Sequence, residues 1–185
     1  GAEAIAMNRV LKHGVVSLRG DLANPQEREW VFREAAEWLG RVDLLVNNAA
    51  LFARDGELDP AELRAVNVEA PLDLAARGAA QPGGGGGIHG RDSRGAGPEA
   101  GCFQAYAATT RELADSVARL AREWAPATRV NGVAPGPVLA PEGVREAAGA
   151  LPLGRRPTPE DVARAVAFLA ENDSITGQIL FVDGG

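Results

Sequence analysis

The segment Val42-Asp43-Leu44-Leu45-Val46 is apolar on both faces apart from Asp43, and it lies between Gly40 and the polar pair Asn47-Asn48. A strand without an alternating polar face has to be covered on both sides, which happens in parallel sheets whose crossover connections are helices. The flanking sequence supplies such helices. Asn24 precedes Pro25, acidic residues follow, and the helical run reaches Leu39 before Gly40, the usual chemistry of a helix start and stop. Helical patterns also cover residues 60–76, 103–124 and 159–171, and strands are expected at 15–18, 129–133 and 178–182. Residues 3–12 read as the end of a helix.

Strand and helix therefore alternate, and this predicts an α/β fold: a three-layer, doubly wound parallel sheet of Rossmann-like type. With 185 residues, 45% of them hydrophobic, the chain suits a single domain with a proper core. A net charge of −6 argues against nucleic acid or an anionic membrane as partner, because phosphate binding needs a basic surface. The single cysteine, Cys102, excludes an internal disulfide framework and fits a reducing cytoplasm. No apolar run is long enough to span a bilayer and no secretory signal pattern opens the chain, so a soluble cytoplasmic protein is expected.

Some features carry less information. His13 and His89 have no metal-ligand spacing with each other or with acidic residues, so no metal site is expected. Trp30 and Trp38 share one amphipathic helix and read as core or interface packing. The glycine run at 83–87 leads into Ile88-His89-Gly90-Arg91-Asp92-Ser93, which is poor in strand-forming side chains and reads equally as a surface loop or a degraded strand.

Tyr106 heads a Tyr-Ala-Ala-Thr-Thr run on the long helix at 103–124. Together with Asn47-Asn48-Ala49-Ala50, Asn67, Ser93, Arg129-Val130-Asn131, Val133-Ala134-Pro135-Gly136-Pro137 and the closing Val182-Asp183-Gly184-Gly185, it resembles the short-chain dehydrogenase/reductase family across nearly the whole chain. The stretches Pro152-Leu153-Gly154-Arg155 and Pro159-Glu160-Asp161-Val162-Ala163 are most similar to its pteridine-reductase-like branch. The resemblance implies an NAD(P)-dependent oxidoreductase that reduces a small carbonyl or pterin-like substrate, with Tyr106 as proton donor. By the same resemblance, Ser93 or its neighbour Asp92 contacts the substrate oxygen, and Asn67 holds a water of the proton relay. Cofactor contacts are expected from Asp21 and Leu22 at the adenine, Asn47 and Ala49 near the ribose, Tyr106 and Thr110 at the nicotinamide ribose, and Pro135, Gly136 and Val138 around the carboxamide. NADP(H) is favoured over NAD(H), and a homodimer or homotetramer is expected.

Two departures from the family pattern bear directly on catalysis and cofactor binding. Thr110 stands where the family has a lysine; four residues beyond Tyr106, it shares that helix face, but it brings no charge to acidify a phenol whose ordinary pKa is near ~10. Lys12 is the only lysine in the chain, so none nearby in sequence replaces it. The glycine-rich phosphate turn, Thr-Gly-x-x-x-Gly-x-Gly in the family, is also missing, and the domain reads as N-terminally incomplete. Two other readings therefore stand beside the reductase: a catalytically silent relative that acts as an oligomerising scaffold through the helices at 60–76 and 103–124, and an incomplete fragment.

Overall fold

The computed structural model describes residues 9–11, 14–81, 100–138 and 151–185. Strands β1 (Arg9–Leu11) and β2 (Gly14–Val16) form an antiparallel pair, with Val10 opposite Val15. Helix α1 (Pro25–Leu39) starts where its local chemistry dictates. The Asn24 side chain accepts from the N–H groups of Gln26 at 2.9 Å and Glu27 at 3.4 Å, and Gly40 ends the helix with φ 72°. Its inner face buries Val31, Phe32 and Ala35.

Helix α2 (Pro60–Arg64) passes through a π-helical turn (Ala65–Glu69) into α3 (Ala70–Ala79). Pro71 explains the widened turn. It has no N–H for the carbonyl of Asn67, and its ring would collide with that carbonyl in a regular helix. The Ala70 N–H instead reaches back five residues to the carbonyl of Ala65. Helix α4 (Gln104–Trp124) buries Tyr106, Thr109, Thr110, Leu113, Val117 and Leu120 along one helical face. Leu22, Phe32, Val42, Leu45, Leu74, Leu113, Val117 and Val130 meet in the main core, so α1, α3 and α4 close around it.

An ion pair between a buried guanidinium and a half-buried carboxylate ties two of these helices. The Arg28 guanidinium, 5% exposed, donates to the Leu22 carbonyl at 2.7 Å and to Asp73 at 3.3 Å, while Asp73 also accepts from Arg77 at 3.1 Å. A charge buried this far needs both kinds of partner, since its desolvation is otherwise uncompensated.

The parallel ladder is formed by β3 (Gly132–Pro135) and β4 (Ile179–Val182), paired from Gly132 with Ile179 to Pro135 with Val182. Helix α5 (Pro159–Glu171) packs on both strands, with Ala165 and Leu169 against Val133. A capping box opens it, Thr158 and Asp161 each bonding the other's backbone N–H. Hydrogen bonds from Arg155 and from the Thr158 N–H hold the Asp161 carboxyl well below the usual carboxylate range. Among the described residues no helix is long and apolar enough to cross a membrane.

The structure corrects the sequence reading at several elements. Residues 9–11, expected to end a helix, form β1, whose backbone pairs antiparallel with β2. The expected strand at 15–18 is β2 at Gly14–Val16, and it pairs with β1 in a two-stranded sheet of its own, apart from the parallel ladder of β3 and β4. Residues 42–46 form no ladder, and only Val46 bridges. Val42 and Leu45 are buried, whereas Leu44 and Val46 are 46% and 42% exposed, because the described residues cover this segment on one side alone. The strand expected at 129–133 begins only at Gly132, since Arg129, Val130 and Asn131 spend their hydrogen bonds on the last turn of α5 and the turn before β4. Arg129 donates to the carbonyls of Leu169 at 2.7 Å and Ala170 at 2.6 Å, Val130 N–H to Thr176 Oγ1 at 3.0 Å, and Asn131 Nδ2 to the Ile175 carbonyl at 2.9 Å. Trp30 and Trp38 are 38% and 56% exposed and so do not pack in the core. The glycine run at 83–87, His13 and His89 lie outside the described residues.

Gly136 marks a close approach. Its N–H donates to the Val182 carbonyl at 2.9 Å, and a Cβ there would stand 2.7 Å from Asp183 Cα. Gly136→Ala is expected to cost about 1–3 kcal/mol, seen as a lowered thermal midpoint. Gly101→Ala, where a Cβ meets nothing within 4 Å, is the control and should leave the midpoint unchanged.

Candidate active site

A cleft of about 340 Å³, counting its open mouth, lies where the segment after Val46 meets α4 and the π-helical turn. Its walls are Asn47, Asn48, Ala49 and Ala50 on one side and Asn67, Tyr106, Thr110 and Leu113 on the other. Five residues singled out from the sequence therefore converge here: Asn47, Ala49, Asn67, Tyr106 and Thr110. They come from three separate elements.

Asn67 is the joint between these elements. Its Oδ1 accepts from the Leu51 N–H at 2.7 Å, and its Nδ2 donates to the Leu51 carbonyl at 2.9 Å and to Thr109 Oγ1 at 3.2 Å. One buried amide thus satisfies both peptide groups of Leu51 and reaches α4. Asn47 is tied to the same helical rod, its Nδ2 donating to the Pro71 carbonyl at 3.3 Å.

Tyr106 is 4% exposed, and its ring meets Phe52 edge-on with centroids 4.8 Å apart. Its carbonyl accepts two hydroxyl protons, from Thr109 at 2.7 Å and from Thr110 at 3.0 Å. Thr110 is thus on the expected face and in the cleft, but its proton is committed to its own helix and only its oxygen lone pairs face outward chemistry. Among the described residues, the phenol of Tyr106 is the only ionisable group in the lining.

Other expected contacts stand apart from this cleft. Asp21 is engaged in the turn before α1, its Oδ1 accepting from the Ala23 N–H at 2.8 Å and its N–H donating to Glu27 at 2.7 Å. Leu22 is a core residue, 8% exposed. Pro135 is buried in β3, Gly136 abuts Asp183, and Val138 is half-buried; none of the three lines the cleft. Ser93 and Asp92 lie outside the described residues. Among the described residues no group of three or more His, Cys, Asp or Glu could hold a metal ion.

The donor set fits a ribose of a nicotinamide cofactor: hydroxyl and amide groups, with no cation in the lining for a phosphate. Sequence reasoning missed Phe52, Thr109 and Asp55. The first is the aromatic neighbour of Tyr106, the second the bridge from Asn67, and the third caps α4 from a distance. A signal for Asp55 existed in the absence of any capping side chain at Phe103, but nothing local could say which acidic residue answers it.

Residues 2–185 match the family described as enoyl-(acyl carrier protein) reductase. The chain is 35% identical over 183 residues to carbonyl reductase family member 4 of Xenopus tropicalis, an alignment covering 92% of this chain and 77% of the relative. Among solved structures, an apo SCOR enzyme of Clostridium thermocellum matches with a TM-score of 0.80 at 30% identity, over 90% of this chain and 71% of that one. FolM alternative dihydrofolate reductase 1 of Brucella canis, complexed with NADP, matches with a TM-score of 0.76 at 33% identity, over 91% and 71%.

The Asn67 clasp is open to a direct test. Asn67→Leu keeps the volume but leaves two peptide groups of Leu51 without partners, and should lower unfolding free energy by about 1–3 kcal/mol in urea denaturation.

Proposed function

The chain belongs to the short-chain dehydrogenase/reductase family of oxidoreductases, and on that premise we propose that it reduces a small carbonyl or pterin-like compound with NADP(H), Tyr106 giving the proton. The observation that carries this reading is the cleft itself: the one tyrosine of the chain stands in it beside Asn67, Thr110 and Asn47. Support for NADP(H) over NAD(H) comes from solved relatives at about this similarity that hold NADP or NADPH. Bound nicotinamide supplies the hydride; the protein's part is to place the substrate oxygen within reach of the phenol and to keep water away.

Each residue has a role in this reading. Tyr106 donates its O–H to the substrate oxygen. Thr110, whose proton is already used, accepts from a ribose hydroxyl. Asn67 orients α4 through Thr109, and the second lone pair of its Oδ1 accepts from the water of the relay. Asn47 and Ala49 line the ribose side; Asp21 and Leu22 meet the adenine, and Pro135, Gly136 and Val138 the carboxamide. Ser93 or Asp92 completes the contact with the substrate oxygen. A planar substrate is favoured by Phe52, 60% exposed, which stacks on Phe103 with centroids 4.6 Å apart beside the tyrosine. A cytoplasmic homodimer or homotetramer built on the helices of the 60–76 and 103–124 regions belongs to the same proposal.

A catalytically silent family member is the second reading, and the neutral lining of the cleft favours it. Among the described residues no charged side chain lines the cleft to assist the proton transfer that reduction needs. Two measurements separate the readings. Fluorescence titration should show NADPH binding below millimolar concentration, and no binding at millimolar levels overturns the reductase. Thr110→Lys should raise turnover at least ~tenfold, a barrier lowered by about 1.4 kcal/mol; no gain in a variant that binds NADPH would place the defect elsewhere in the relay.

A further inference from the structure

Helix α4 starts without a cap of its own. Phe103, the residue before its first turn, makes no side-chain hydrogen bond, so the leading N–H groups need an acceptor from another part of the chain. Asp55 provides it. Its Oδ2 accepts from the Gln104 N–H at 3.0 Å and its Oδ1 from the Ala105 N–H at 2.9 Å, while its own N–H donates to the Cys102 carbonyl at 2.7 Å. The next residue along the helix is Tyr106.

The loop that carries Asp55 is itself fixed. Asn67 grips Leu51 at both peptide groups. Further along, the Arg54 N–H donates to Glu57 at 2.8 Å, the Glu57 N–H returns to the Arg54 carbonyl at 3.1 Å, and Gly56 takes φ 89°, which closes a tight turn around Asp55. The same loop sends Phe52 against both Phe103 and Tyr106, and Arg54 over the Phe103 ring at 5.5 Å. Carboxylate, aromatic ring and guanidinium from one loop thus converge on the segment that delivers the phenol.

We propose that Asp55 is a positioning residue for Tyr106: its carboxylate sets where α4 begins, and through that sets where the phenol stands in the cleft. A negative charge is also well placed at the positive end of the helix dipole, so the carboxylate holds this register better than a neutral acceptor would. A helix cap with no positioning role would change stability and leave the surroundings of the tyrosine as they were. With Asp55 in its positioning role, loss of the carboxylate lets the first turn shift and opens the ring to solvent. The inference rests on the reading of Tyr106 as the functional phenol, but its test does not depend on activity.

Tyr106 is the only tyrosine in the chain, so nitration by tetranitromethane, followed by nitrotyrosine absorbance, reports on this one ring; the Cys102 thiol gives no such absorbance. Asp55→Ala, shown to be folded by circular dichroism, should be nitrated at least ~fivefold faster than the parent, as local opening of the first turn exposes a ring that is 4% exposed in the intact protein. Asp55→Asn keeps one acceptor oxygen and should fall between the two. A folded Asp55→Ala nitrated at the parental rate, even with a lowered thermal midpoint, overturns the proposal and leaves Asp55 a cap alone. If the alanine variant does not fold, the asparagine variant decides by the same rate comparison. Failure of NADPH to bind would remove the reductase reading and leave these rates as they are, so the two failures are distinguishable.

Discussion

The amide of Asn67 is the interaction on which the site depends. A π-helical turn, imposed by the missing N–H of Pro71, widens the helix at this residue, and its buried side chain closes on the peptide of Leu51 from both sides. Without that clasp the loop that carries Phe52 and Asp55 would lose its anchor, and the cleft would lose the wall that faces α4. A buried amide with all its strong partners in place specifies one arrangement, because every alternative leaves a polar group dry and unpaired.

Two hydroxyls on one carbonyl give the cleft its chemical character. Thr109 and Thr110 both donate to the carbonyl of Tyr106, so the helix turn that presents the phenol is held from within, and Thr109 passes the link on to Asn67. The arrangement is rigid and neutral. Its lining offers hydroxyl and amide groups, and no cation from the described residues stands among them. Shape and electrostatics are thus set separately here: three elements bring polar groups together, and none of the described side chains in the lining brings a charge.

Helices were easier to read from the sequence than strands, and the reason is local chemistry. Asn24 with Pro25, Thr158 with Asp161, and Gly40 act on groups a few residues away, so α1 and α5 begin and end where their capping residues say. Strands depend on partners distant in the chain. Residues 129–131 look like strand, yet their polar groups are claimed by Leu169, Ala170, Ile175 and Thr176, some forty residues on. The apolar run at 42–46 has the composition of a doubly covered strand, but among the described residues cover reaches only Val42 and Leu45.

What the amino-acid sequence determined alone was the alternation of elements, the family pattern, and the five residues Asn47, Ala49, Asn67, Tyr106 and Thr110 that meet in the cleft. Spacing along a helix and short-range capping are enough for that, since both are set by backbone geometry within a few residues. Tertiary structure decided what those side chains do: that the Thr110 proton is spent on its own helix, that Asn67 grips Leu51, and that α4 borrows its cap from Asp55, forty-nine residues upstream of Gln104. Hydrogen-bond partners at such separations are chosen by packing, which brings one donor and one acceptor together among many of equal chemistry, and no local pattern records that choice.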